Sequence, residues 1–162
     1  MKTLYSTLII GSLLFTSLYG CKDVADPPDP NEEELITTVL VQLTDSATQE
    51  IRSFKFADPD GEGGNAPTQF DTIVLDANTV YSLELQFLDE SGDDTEDITE
   101  EVKEEADEHL VCFEISGEST IAVTDKDGND LPLGLEARLE TGNAESATLK
   151  VSLLHQPEVK NG

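Results

Sequence analysis

"TVYSLELQFL", residues 79–88, alternates without a break: Tyr81, Leu83, Leu85 and Phe87 are apolar, and Ser82, Glu84 and Gln86 between them are polar. Successive side chains of a strand point to opposite faces, so this spacing predicts a β-strand with one buried and one wet face. The pattern recurs on either side. "GLEARLE" (134–140) sets Leu135, Ala137 and Leu139 against Glu136, Arg138 and Glu140, and "SATLKVSLL" (146–154) turns Ala147, Leu149, Val151 and Leu153 inward. Further strands are expected over 35–44, 51–57, 70–75, 109–115 and 119–124, separated by Asp, Gly, Asn and Pro clusters. About eight one-sided strands in a single sheet would leave its apolar face in water. The pattern therefore predicts an all-β chain of two packed antiparallel sheets, a β-sandwich.

One region interrupts the strands. Residues 89–108 hold twelve acids and one Lys in twenty positions. Asp97 is placed to cap a helix with Glu100 three residues on, and Ile98, Val102 and Ala106 recur at helical spacing on one thin stripe. A short acidic helix inserted between strands is expected. Its like-charged i, i+4 pairs, such as Glu100 with Glu104 and Glu101 with Glu105, each oppose it by a few tenths of a kcal/mol, roughly. The apolar stripe must offset that repulsion.

The first 34 residues have a different character. Lys2 is the only charge before Cys21, and Leu8, Ile9, Ile10, Leu13, Leu14 and Phe15 form an apolar run too short for a permanent bilayer span of about 20 residues. Residues 1–20 read as a secretory signal peptide. At its end, Leu18, Tyr19, Gly20 and Cys21 resemble the lipobox of bacterial lipoproteins, although Tyr19 is larger than the usual residue there. The resemblance implies that the Cys21 thiol carries a lipid (diacylglycerol, with palmitate-type chains) and becomes the N-terminus after cleavage. Lys22 and Asp23 further resemble the export signal of Bacteroidota-type surface lipoproteins, with Val24 where a second acid is usual. That implies an outer-membrane anchor with the domain at the cell surface, or, if the incomplete signal fails, facing the periplasm. Residues 21–34 hold too little apolar surface to fold, and their acids and prolines suit a disordered, stiffened stalk.

Cleavage after residue 20 leaves 142 of the 162 residues, enough for one domain over 35–162. All 35 Asp and Glu lie in that part, with eight of the nine Lys and Arg, a formal charge of −27. Such a charge repels phosphate, which argues against nucleic acid as a partner and leaves the lipid as the route to the membrane.

"LDANTVY" (75–81) carries the finer fold expectation. Leu75 precedes Tyr81 by six residues across a polar turn, which resembles the tyrosine corner of fibronectin type III and immunoglobulin-like domains. The resemblance implies a Tyr81 hydroxyl bonded back to the upstream backbone, and hence an Ig-like sandwich. The chain lacks the core Trp common in those families. The wider resemblance is to small Ig-like surface lipoproteins, in which "DPDGEGGNAP" and "DITEEVKEEADEH" look familiar as a turn and an acidic insert. Similar chains run on past the segment matching "LLHQPEVKNG", which implies a missing final strand and a final sheet edge that is either exposed or waits for a partner strand.

Candidate chemistry is sparse. "DPDGEGGN" places Asp58, Asp60 and Glu62 at alternate positions before Gly63, so a tight loop could direct several oxygens at one calcium ion. Gln69 stands where a full calcium loop needs a bidentate Glu. "DKDGND" offers Asp125, Asp127 and Asn129, with Asp130 at the glycine position, and reads as a plain turn. His109 and His155 stand in no HxxxH or HExxH spacing, and Cys112 faces away from His109 on a strand. No enzyme activity and no cofactor beyond calcium are expected. The absence of Trp argues against aromatic sugar platforms. An unidentified surface protein or glycan is the expected partner.

Overall fold

The computed structural model describes residues 35–60 and 64–160. Ten elements follow in order: β1 (Thr38–Asp45), β2 (Ile51–Ala57), β3 (Gln69–Phe70), β4 (Val80–Asp89), β5 (Glu96–Asp97), α1 (Ile98–Glu104), β6 (His109–Ile115), β7 (Thr120–Val123), β8 (Glu136–Glu140) and β9 (Leu149–His155). The signal peptide, Cys21 and the stalk all lie outside the described residues, as does Glu62.

The fold is all-β and sandwich-like, with one short helix. A seven-stranded antiparallel sheet runs β3-β2-β1-β4-β8-β7, with β5 added to the end of β4, and a two-stranded sheet pairs β6 with β9. Alternation in β4 explains why it lies at the centre. Tyr81, Leu83, Leu85 and Phe87 are all buried, and Ser82 and Glu84 are exposed. The register lines up one apolar face across the sheet, Phe54–Val41–Leu85 in one row and Leu43–Leu83–Ala137–Val123 in another. Val111 of β6, together with Leu133 and Leu135, closes over that face to complete the core.

Turns carry their own chemistry. Asp45 ends β1 and accepts from the backbone N–H of Ala47 (2.7 Å) and Thr48 (3.0 Å), which holds its carboxyl below the usual range. The Tyr81 hydroxyl, on a fully buried side chain, accepts from the Asp76 N–H at 3.0 Å, so the backbone tie expected of "LDANTVY" is present. Asp97 caps α1 by accepting from Thr99 N–H (3.0 Å). Ile98 and Val102 are buried, while Ala106 falls beyond the helix end and is half-buried. Thr99 secures the helix to the sheet, its Oγ1 accepting from Phe87 N–H (2.8 Å) and donating to Phe87 O (3.2 Å).

Two strand expectations are corrected. The strand expected over 70–75 shrinks to Gln69–Phe70, because the Asp71 carboxylate takes the Lys55 N–H (2.9 Å) that a backbone carbonyl would take in a continuing ladder. Beyond it Ile73 and Leu75 turn inward and Val74 is exposed. In "SATLKVSLL" the strand starts at Leu149, and Ala147 is exposed rather than inward.

Candidate functional site

The apolar face of the large sheet is not evenly covered. Across β4 it is sealed, but toward β2 it opens: Val39, Phe54 and Phe56 point to the same face and are only half-buried. Val111 of β6 packs with the buried residues of β4 and β8, whereas β2 contributes only the partly buried Phe54 to that cluster. The result is a groove of about 810 Å³ with a floor of Val39, Val41, Phe54 and Phe56 and a wall of Leu149 and Val151. At its mouth Phe70, 76% exposed, meets Phe56 edge to face at 5.5 Å between ring centroids. Single exposed apolar residues are ordinary, but a continuous apolar trough of this size is the usual form of a binding site.

The polar rim is acidic. Asp71, Asp76 and Glu145 border the groove, against Lys55. Lys55 is already engaged with Glu90 at 2.7 Å, and Asp76 with Arg52 at 2.8 Å. Hydrogen bonds from Lys55 N–H and Gln69 lower the Asp71 carboxyl, so it stays charged at neutral pH.

Of the expected calcium donors, Asp58 and Asp60 are among the described residues. Asp58 and Asp60 lie against each other, and burial together with the neighbouring carboxylate pushes Asp58 up. Asp58 Oδ1 is buried with no hydrogen-bond partner among the described residues. Asp60 is drawn the other way: its Oδ2 accepts from Asn65 N–H (2.7 Å) and Asn65 Nδ2 (2.6 Å), which lowers its carboxyl. The third expected donor, Glu62, lies outside the described residues.

The second acidic loop is structural. Asp125 accepts from Gly134 N–H (2.8 Å) and Leu135 N–H (2.9 Å), one to each carboxylate oxygen. Asp127 Oδ1 accepts from Asn129 (2.8 Å) and Leu131 (2.9 Å). Asp127 Oδ2 lies 2.8 Å from Lys160 Nζ with both side chains enclosed, an ion pair that lowers the Asp127 carboxyl, and Lys160 also donates to Ala106 O at 2.6 Å. These carboxylates are committed to the fold and have little left to offer an ion.

The sequence spacing did not reveal that the two histidines are neighbours. The β6–β9 register sets His109 opposite His155, and their rings stack 4.7 Å apart with 9° between planes. Glu105 O can only accept, so the Nδ1 of His109 is the donor in their 3.1 Å bond. His155 Nε2 lies 3.5 Å from Glu108 Oε2. Glu105, His109 and His155 bring three donor atoms within 4.8 Å. Imidazole lone pairs lie in the ring plane, however, and parallel stacked rings cannot both address one ion unless one turns. As placed, the pair is a packing contact. Cys112 is a half-buried free thiol on the opposite face of β6 from the buried His109.

Compared with protein-family models, curated proteins and solved structures, the chain finds no match in any of the three. No helix of the described residues is long and apolar enough to cross a membrane. Fold and site together define an all-β sandwich-like domain with an open apolar groove.

Proposed function

We propose that the chain is a lipid-anchored outer-membrane protein of the Bacteroidota-type surface lipoprotein kind. Its Ig-like sandwich acts at the cell surface as a non-catalytic binding or structural module. The observation that carries the binding role is the groove, apolar on its floor and acidic on its rim. Support for the anchor comes from the Leu18–Tyr19–Gly20–Cys21 run, followed by Lys22 and Asp23.

The test is metabolic labelling with an alkyne fatty acid. The label is expected on the wild type, which sediments with outer membranes, and is absent from Cys21→Ala, which loses its mature membrane-bound form. Protease added to intact cells is expected to digest the wild-type domain. An unlabelled wild type would overturn the anchor, and a protected domain would favour the periplasm-facing alternative.

Calcium-dependent adhesion or assembly is the second reading, favoured by the buried, unpartnered Asp58 Oδ1 beside Asp60. A ligand present at 100 times its dissociation constant stabilises the folded state by about 2.7 kcal/mol. Under this reading calcium raises the melting temperature by several degrees, chelator reverses the shift, and Asp58→Asn abolishes it. Identical melts in calcium and chelator would remove calcium from the account.

A further inference from the structure

We infer that the groove is an acceptor for a β-strand donated by another polypeptide, an extended segment with apolar residues at alternate positions and Lys or Arg between them. The inference deepens the reading of this domain as a binding module.

The hydrogen-bond phase of the small sheet supplies the first argument. Ser116 N–H donates to Thr148 O (3.0 Å) and Gln156 N–H donates to Glu108 O (2.6 Å), at the two ends of one continuous antiparallel register. Bonded pairs alternate along such a ladder, so Lys150, Ser152 and Leu154 turn their backbone groups toward β6. Leu149, Val151 and Leu153 turn theirs away. Among the described residues no strand meets them on that side. Each non-proline residue carries one donor and one acceptor, and a row of them at a sheet edge is a template for a further strand.

The second argument is position. Leu149 and Val151, whose backbones form that open edge, also form the groove wall, and the uncovered floor of β1 and β2 lies beside them. A third strand on β9 would bond to the edge and lay alternate side chains on Val39, Val41, Phe54 and Phe56. Backbone pairing would supply affinity and the floor would supply selectivity, the mode of β-strand addition. A compact apolar ligand could use the floor but not the edge.

Charge decides the source. A second copy would bring another strongly acidic chain to an acidic rim, since the sequence after residue 20 holds all 35 Asp and Glu against eight Lys and Arg. Asp71 and Glu145 line the groove, whereas Asp76, also on its lining, is paired with Arg52. Basic residues there gain attraction at encounter and on binding.

The test uses the purified full chain in mild detergent with a synthetic peptide of alternating Val and Lys, and a control of the same composition with its alternation broken by a central Pro. The alternating peptide is expected to bind and to slow amide exchange at Leu149, Val151 and Leu153 by about tenfold or more, with no such protection from the control. Val151→Pro removes an N–H that points to the open edge, where proline is tolerated, so the fold survives while peptide binding weakens by about tenfold. Phe54→Ser weakens binding from the floor without touching the edge.

Absence of binding would overturn the inference. So would binding that Val151→Pro leaves intact and that protects none of the three amides, which would mark the groove as a site for compact apolar ligands. Concentration-dependent dimers protected at the same amides would replace the basic donor with a second copy. Lipid labelling at Cys21 is independent of all these outcomes, so failure here is distinguishable from failure of the anchoring proposal.

Discussion

Tyr81→Ala is expected to destabilise the sandwich by about 3–5 kcal/mol, the range for removing a fully buried aromatic ring. Tyr81 has no exposed surface and pairs with Leu139 on one side and Asp45 on the other, so its removal opens a void between β1, β4 and β8 at once. Domains of this size have about 5–15 kcal/mol in total, so the variant keeps a marginal fold or none at 37 °C. Tyr81→Phe separates the ring from the hydroxyl. It keeps the packing and leaves the Asp76 N–H without its 3.0 Å acceptor, at a cost of about 1 kcal/mol. The loop does not collapse in that variant, because Thr141 Oγ1 still donates to Asp76 O (2.7 Å) and accepts from Thr79 N–H (2.9 Å). Urea unfolding of both variants checks the pair. If Phe proves as damaging as Ala, the hydroxyl and not the ring is the main support, and the packing account fails.

Several features of this chain were readable from local spacing, because their cause is local. Alternation from Tyr81 to Phe87 states which side chains share a face, and β4 buries that face. Asp97 ahead of Ile98 and Val102 states where a helix starts and which stripe it buries, and α1 follows both. What spacing cannot state is what covers a face. Phe54 and Phe56 alternate as well as Leu83 and Leu85 do, yet only the β4 pair is buried. The groove is therefore invisible in the sequence. The His109–His155 stack escapes for a related reason, since it depends on the register between strands far apart in the chain. Asp127 shows the same limit from the other side. An Asp-Gly stretch reads as a wet turn, and only the return of the chain at Lys160 encloses the carboxylate and lowers it.

Gly134→Ala is expected to separate the two sheets. Residues 133–135 are the seam between them: Leu133 O accepts from Val111 N–H of β6 (2.7 Å), and Leu135 O accepts from Leu85 N–H of β4 (2.9 Å). Gly134 makes that passage possible with φ +95°, a region other residues enter only with strain. A Cβ there would lie 2.5 Å from Val111 O and 2.9 Å from Val111 Cβ, so the backbone of β6 itself would have to retreat. The conformational cost of about 1 kcal/mol and overpacking of about 1–3 kcal/mol together predict a loss of about 2–4 kcal/mol. Gly128→Ala is the control, because a Cβ at that turn meets nothing within 4 Å. Thermal melts should rank Gly134→Ala far below Gly128→Ala. Amide exchange should rise first in β6 and β9, because among the described residues each has one paired strand beside it, whereas β1 and β4 have neighbours on both sides in the large sheet. Equal melts would show that the seam yields without cost. Uniform loss of protection would show that the two sheets unfold as one unit, in which case no partly docked small sheet exists for a partner strand to reinforce.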